Sequence, residues 1–325
     1  VRAMQVADFG APLELVDVAS PEPDSGEVLV TVERAGVNYP DLLLIQGRYQ
    51  ARPPVPFAPG FEVSGRIAAL GDAVADLSVG ERVAAFVPYG GYAEEVVAPA
   101  TSVFPVPEEV SFEVAAVLPV AYGTGIHALV DRAALAPGET LVVLGASGGV
   151  GLAAVDVGKR LGATVVGCVG SEWKMGPVRE MGADHVLDYT AEDVRERILE
   201  LTDGRGADVV FDPVGGDAFD AALRYLAYKG RLLVIGFTSG RIPQIPANRL
   251  LLKGNAAVGV FWGQFAEREP EANRRNFRRL LEWAVEGEIR PRVAEVLPLE
   301  EAPRALETLA ARRAVGKIVL RVGDA

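Results

Sequence analysis

Two textures of apolar and polar positions divide the chain. Over residues 1 to 119, short apolar runs alternate with polar positions and are broken by Pro and Gly clusters: EVLVTVERAGV, FEVSGRIAAL, GERVAAFV and GYAEEVVAP. This pattern predicts short strands joined by turns, a mostly antiparallel β domain. From residue 120, wholly apolar runs alternate with amphipathic stretches. TLVVLG precedes GGVGLAAVDVGKRLG, TVVGCVG precedes SEWKMGPVREMGA, HVLDY precedes TAEDVRERILELT, ADVVFD precedes GDAFDAALRYLAYKG, and RLLVIGF ends the series. Strands that are apolar throughout, separated by amphipathic helices, predict a parallel sheet covered on both faces. NAAVGVFWG then precedes the polar helix PEANRRNFRRLLEWAVEGE, and VAEVLPL, EEAPRALETLAARR and GKIVLRV close the chain as strand, helix and strand that could return to the first domain.

Composition narrows the class. The chain has 325 residues, half of them hydrophobic, which accommodates two domains with substantial cores. With 32 Lys and Arg against 44 Asp and Glu the formal charge is −12, which disfavours nucleic acid as a partner. No window holds eighteen uninterrupted apolar residues, so no membrane span is expected. The start VRAMQVADFG lacks the features of a secretory leader, and a cytoplasmic location is expected. The lone cysteine, Cys168 in VVGCVG, reads as a buried small hydrophobe.

The stretch LGASGGVG, Leu144 to Gly151, lies between a strand pattern and a helix pattern. Strand, glycine turn and helix together suit a dinucleotide: a tight turn, a backbone open to a pyrophosphate, and helix N–H groups facing it. Gly148 and Gly151 take the second and third glycine positions of G-x-G-x-x-G, and Ala146 stands at the first. The absence of a following Gly-Lys-Ser/Thr excludes the phosphate loop of nucleotide hydrolases. NAD sites usually carry an acid at the end of the second strand. Here Gly170 and Ser171 stand there, with Lys174 one turn on, which favours the 2′-phosphate of NADPH. A solvated surface role is the alternative for Lys174.

LGASGGVG, FDPVGG, GRLLVIGF and RRAVGKIVL, with AGVNYPDLLLIQGRYQ and PFAPGFEVSGRI in the first domain, resemble the quinone oxidoreductase branch of the medium-chain dehydrogenase/reductase superfamily over the whole chain. The resemblance implies an α/β fold. A GroES-like, mostly-β catalytic domain would be built from residues 1–119 and 290–325, and a Rossmann doubly wound parallel-sheet domain from 120–289, with NADPH in the cleft between them. It implies a homodimer or homotetramer joined through a Rossmann edge strand, for which NAAVGVFWG is the candidate. Residue by residue, it implies cofactor contacts from Asn38, Thr124, Ser147, Gly148, Gly149, Val150, Lys174, Tyr189, Gly236, Phe237, Ser239, Phe261, Trp262 and Arg312, with Arg313 a substitute for the last. Tyr189 could equally be a strand-end aromatic, and Trp262 core or interface.

The metal-dependent branch places zinc ligands where this chain has Asn38 and Phe61, leaving Glu62 alone, and it lacks the lobe of four cysteines. His127 and His185 have no partner at ligand spacing. No metal is therefore expected, and the acceptor must take hydride unaided, as a quinone does. Asn38 and Tyr49 are the catalytic candidates, Tyr49 as a phenol donating to a developing oxyanion or simply as a cleft-lining aromatic, with Arg48 and Arg52 beside it. Alternatives are a reductase of α,β-unsaturated carbonyls, including enoyl-CoA esters, and a non-catalytic NADPH-binding protein. The basic group Arg274, Arg275, Arg278 and Arg279 could serve CoA phosphates or form a solvated face.

Overall fold

The computed structural model describes residues 1–323. The chain forms two compact units. The first contains Val1–Val120, Phe265–Gly287 and the chain from Pro291 onward; the second contains Ala121–Gln264 and Glu288–Arg290.

The first unit is mostly antiparallel. Strands β1 (Arg2–Val6) and β2 (Leu13–Asp17) form a two-stranded ribbon. The larger sheet is built from β3 (Glu27–Val37), β4 (Glu62–Leu70), β5 (Arg82–Phe86), β6 (Glu95–Pro99) and β7 (Val103–Pro105). Two late strands complete it: β14 (Val293–Pro298) pairs parallel with β15 (Lys317–Arg321), and β15 pairs antiparallel with β3, Ile318 opposite Val37. The C-terminal segment does return to the first sheet. Its core holds Val28, Val30, Val32, Val63, Val83, Ile318 and Leu320, inward positions of those strands, and Tyr92 from the turn before β6.

The second unit has a six-stranded parallel sheet of β8 (Thr140–Leu144), β9 (Thr164–Val169), β10 (His185–Asp188), β11 (Ala207–Asp212), β12 (Leu226–Val234) and β13 (Ala256–Gly259). Their order is β10-β9-β8-β11-β12-β13, the doubly wound arrangement that reverses between its first and fourth strands. The central β8 is buried at every residue, as the unbroken run TLVVL predicts, whereas β13 lies at the edge and is partly exposed. Cys168 is fully buried in β9, and burial pushes its thiol up to about 12, so it stays protonated at neutral pH.

Two details depart from the sequence pattern. The helix Pro270–Val285 groups with the first unit and not with the parallel-sheet unit to which residues up to 289 were assigned. Its Phe277 ring stacks on Phe104, at the end of the first-unit sheet, with centroids 4.0 Å apart. LAYKG, expected as the end of a helix, instead opens β12: the helix Gly216–Tyr225 stops where Leu226 turns extended.

Candidate functional site

At the reversal point of the parallel sheet, the loop after β8 meets the loop after β11. Gly145 leaves β8 at φ +59°, a conformation that costs a side-chain-bearing residue about 1 kcal/mol or more. The tight turn of the fingerprint is thus made by Gly145, one residue before Ala146, the position that motif counting assigned to it. A Cβ on Gly145 would lie 3.1 Å from Val214 in the second loop. Gly148 caps the helix Gly149–Arg160 in an extended conformation. A Cβ on Gly151 would overlap the Gly145 carbonyl oxygen and come within 2.8 Å of Ala146 Cα, so this glycine lets helix and strand pack. At Gly148 the nearest atom would be 3.5 Å away, an ordinary contact. Nothing within the protein therefore requires Gly148 to be bare. A ligand lying against the backbone would, and twelve residues of helix dipole point at that spot. Ser147 is buried, and Gly149 and Val150 are partly exposed on the same turn. These residues fit a dinucleotide pyrophosphate.

The second loop is tied back to the end of β11. Asp212 Oδ1 accepts from the backbone N–H groups of Val214, at 2.7 Å, and Gly215, at 2.9 Å. Gly215 and Gly216 both have positive φ. Phe237 and Ser239, after β12, sit against them: a Cβ on Gly215 would lie 3.0 Å from Phe237 Cδ1, and one on Gly216 2.8 Å from Ser239 Oγ. Gly236 lies 3.4 Å by the same measure from the Pro213 carbonyl. The structure thus gathers Gly236, Phe237 and Ser239 around the loop that follows β11.

At the ends of β9 and β10 the chain supplies small and aromatic residues. Tyr189 follows β10, and its hydroxyl occupies the space a Gly170 side chain would fill. Lys174 ends a short 3₁₀ turn one step from Gly170 and Ser171, with its ammonium 5.1 Å from the Trp173 ring. Lys174 and Tyr189 therefore flank the strand end where a ribose 2′ substituent is expected.

Thr124 is buried in the helix Gly123–Ile126, between two π-helical turns, Leu118–Tyr122 and His127–Arg132. Trp262 is buried with its indole against Gly123, within 2.8 Å of where a Cβ would be. Phe261, by contrast, is half exposed. His127 is buried with its ring Nδ1 2.9 Å from Asp131, and His185 opens β10.

In the first unit, Asn38 is the focus of a buried polar cluster. Its Nδ2 donates to Glu62 Oε1 at 2.9 Å and to the Gly36 carbonyl at 3.3 Å. Its Oδ1 accepts from Lys317 Nζ at 2.6 Å. Lys317 also ion-pairs with Glu62 at 2.8 Å and donates to the Val37 carbonyl. Glu62 Oε2 accepts from Val120 N at 2.7 Å. Beneath this, the buried Asp41 accepts from Asn38 N, Tyr92 OH and Gly60 N, and burial pushes its carboxyl up to about 7. Sequence reasoning missed Lys317 and Asp41. A lysine opening the buried strand KIVLR, and an acid three residues into a helix begun by Asn38, were the available signals.

Nearby, Tyr49 packs edge-on against Phe61, centroids 5.3 Å apart, and its phenol is raised by burial and then by the Asp41 charge. Phe9, Phe57 and Tyr89 extend this aromatic cluster. Arg52 donates to the Gly47 carbonyl and lies over Phe9, while Arg48 bonds Gln46. Arg312 lies on the exposed turn after the helix Ala302–Ala310, held at φ +55°. The basic residues Arg275, Arg278 and Arg279 are exposed and share their helix with Glu271 and Glu282. Among the described residues no three His, Cys, Asp or Glu side chains are grouped to hold a metal, and no helix is long and apolar enough to cross a membrane.

Two family models match the chain: an alcohol dehydrogenase GroES-like domain over residues 24–108 and a zinc-binding dehydrogenase over 149–285. The fold is thus α/β, a GroES-like domain with a Rossmann domain, the architecture of dehydrogenases and reductases. A Nematostella vectensis protein called quinone oxidoreductase-like protein 2 homolog is 39% identical over 323 residues, 98% of this chain and 88% of that protein. A Pseudomonas aeruginosa quinone oxidoreductase is 35% identical, covering 98% and 99%. Among solved structures, a mycobacterial protein complexed with NADPH superposes with TM-score 0.92 at 34% identity, covering 99% and 100%. The Escherichia coli quinone oxidoreductase complexed with NADPH superposes with TM-score 0.91 at 27% identity, with the same coverage. The chain belongs to the medium-chain dehydrogenase/reductase superfamily, in its quinone oxidoreductase branch.

Proposed function

We propose that the protein is an NADPH-dependent reductase that passes hydride to a quinone without zinc. The NADPH complexes of similar structures support the cofactor, and relatives called quinone oxidoreductases support the acceptor. The observation that carries the metal-free reading is the Lys317–Glu62 ion pair. Of the three residues at the metal-dependent branch's positions, Asn38 offers an amide already bonded on both sides and Phe61 offers no donor. Glu62 is already neutralised by an ammonium. That set does not fit a cation.

NADPH, when bound, supplies the hydride. Gly148, Gly149 and Val150 with Ser147 would hold its pyrophosphate, and Lys174 and Tyr189 its 2′-phosphate. Thr124, Gly236, Phe237, Ser239, Phe261, Asn38 and Arg312 are proposed as further contacts; Trp262 serves them by packing. Tyr49 keeps its proton at neutral pH and is the donor proposed for the oxygen that gains charge. The aromatic surfaces of Tyr49, Phe9 and Tyr89 suit a flat acceptor. The partly exposed β13 edge is the proposed seam of a homodimer.

The test follows NADPH absorbance with simple quinones, enones and acryloyl-CoA, repeated with NADH. Fast turnover with quinones and NADPH supports the proposal. Turnover confined to an enone or the CoA ester moves the function to unsaturated carbonyls, and binding without turnover makes the protein a nucleotide-binding one.

A further inference from the structure

The chain has three tryptophans. Trp262 and Trp283 are buried, but Trp173 is 59% exposed. It sits on the 3₁₀ turn Glu172–Lys174, just past the C-terminal end of β9. In a doubly wound sheet that strand end receives the adenosine ribose. Three features lie at that strand end. Gly170 has no side chain, and Tyr189, itself 52% exposed, lies across it. Ser171 is small. The Lys174 ammonium lies 5.1 Å from the Trp173 ring centre, within cation–π range.

An exposed indole is a ready stacking surface, and the ligand expected at this strand end carries a flat purine ring. Resting on the reading of the second unit as an NADPH site, we propose that Trp173 is the adenine platform of the cofactor. Its indole stacks on the purine while its π face holds the neighbouring Lys174 toward the 2′-phosphate. Trp173 then acts on both halves of recognition: stacking, which NADPH and NADH share, and the lysine's placement, which NADPH alone uses.

The experiment titrates tryptophan emission of the full-length protein with 2′,5′-ADP, 5′-AMP, NADPH and NADH, in wild type, Trp173→Phe and Trp173→Leu. In wild type, 2′,5′-ADP, which lacks nicotinamide, should quench emission saturably. Trp173→Phe should lose the quench but bind nearly as tightly, because a ring remains. Trp173→Leu should weaken 5′-AMP by about tenfold, through lost stacking, and 2′,5′-ADP by more, because the lysine's placement is lost as well. Circular dichroism confirms that the variants fold, as expected for an exposed position. If Trp173→Leu weakens 2′,5′-ADP but not 5′-AMP, the ring serves only Lys174 and the platform is overturned. If Trp173→Leu binds both unchanged, the proposal fails outright. If wild type binds 5′-AMP and 2′,5′-ADP equally and Trp173→Leu weakens both, the platform stands and the preference for NADPH falls. If wild type binds neither adenine nucleotide, both fall.

Discussion

The Lys317 ammonium lies 2.6 Å from the Asn38 side-chain oxygen, and this contact decides which way the amide faces. Lysine can only donate, so Oδ1 must point at it and Nδ2 must point at Glu62. Lys317 is 5% exposed and Glu62 fully buried. Removing the cation in Lys317→Met strands a buried carboxylate and should cost about 3–5 kcal/mol in urea unfolding. Adding Glu62→Gln should recover most of that loss, because the stranded charge is gone. Two losses that simply add would show that the pair does not act as a unit.

Much of this was legible beforehand, for identifiable reasons. The central strands of the parallel sheet are largely apolar because both faces are covered, so the runs in TLVVL, TVVGCV and ADVVFD announce themselves. The cofactor loop shows because glycine is costly in a strand or helix unless a turn or a ligand needs it. The turn glycine was misplaced by one residue, since only the backbone reveals that Gly145 carries the positive φ. The Asn38 cluster was half visible: its members come from β3's end, β4 and β15, and long-range pairing alone brings Lys317 to Asn38. The helix Pro270–Val285 belongs with the first unit through contacts that include the stack of Phe277 on Phe104, which no local pattern signals.

Two glycines of one loop should respond oppositely. Gly151→Ala places a methyl on backbone atoms that cannot yield, and should lower stability by about 1–3 kcal/mol. Gly148→Ala meets nothing closer than 3.5 Å and should fold with an unchanged melting temperature. It should nonetheless lose NADPH affinity by about tenfold or more, as a methyl intrudes where backbone meets pyrophosphate. Thermal melts and NADPH titrations of both variants check this. Unchanged affinity in Gly148→Ala would remove the ligand from that position.

Asp41 sets a pH dependence of stability. Its carboxyl is raised from 3.8 to about 7, chiefly by burial. The folded state therefore holds a proton that the unfolded chain has released, across the window between those values. The group's contribution is greatest at the acid end and declines as pH rises through 7, by at most about 1.4 kcal/mol per pH unit. The stability of wild type relative to Asp41→Asn should therefore fall between pH 5 and pH 8. A difference constant across that range would mean that Asp41 does not titrate there.

In the proposed site, Lys174 and Tyr189 share the recognition of the 2′-phosphate. Lys174→Met removes a charge-assisted contact to a 2′-phosphate, so the KM for NADPH should rise about tenfold or more while that for NADH stays put. Tyr189→Phe, losing one neutral hydroxyl, should cost less. Equal effects of Lys174→Met on both cofactors would assign the lysine to a part they share.

Arg312 occupies a backbone conformation that glycine adopts freely. At φ +55° the turn after Ala302–Ala310 strains any residue with a Cβ by about 1 kcal/mol or more. Glycine relieves that strain but loses about 0.5–1 kcal/mol through the greater freedom of the unfolded chain. Arg312→Gly should then be as stable as wild type or gain up to about 1 kcal/mol. If the arginine holds NADPH, the same variant should bind the cofactor about tenfold more weakly. Unchanged affinity with lower stability would instead make the guanidinium a support of the turn. Weaker binding in a protein at least as stable as wild type separates the two, since backbone strain at this position is then retained for the ligand.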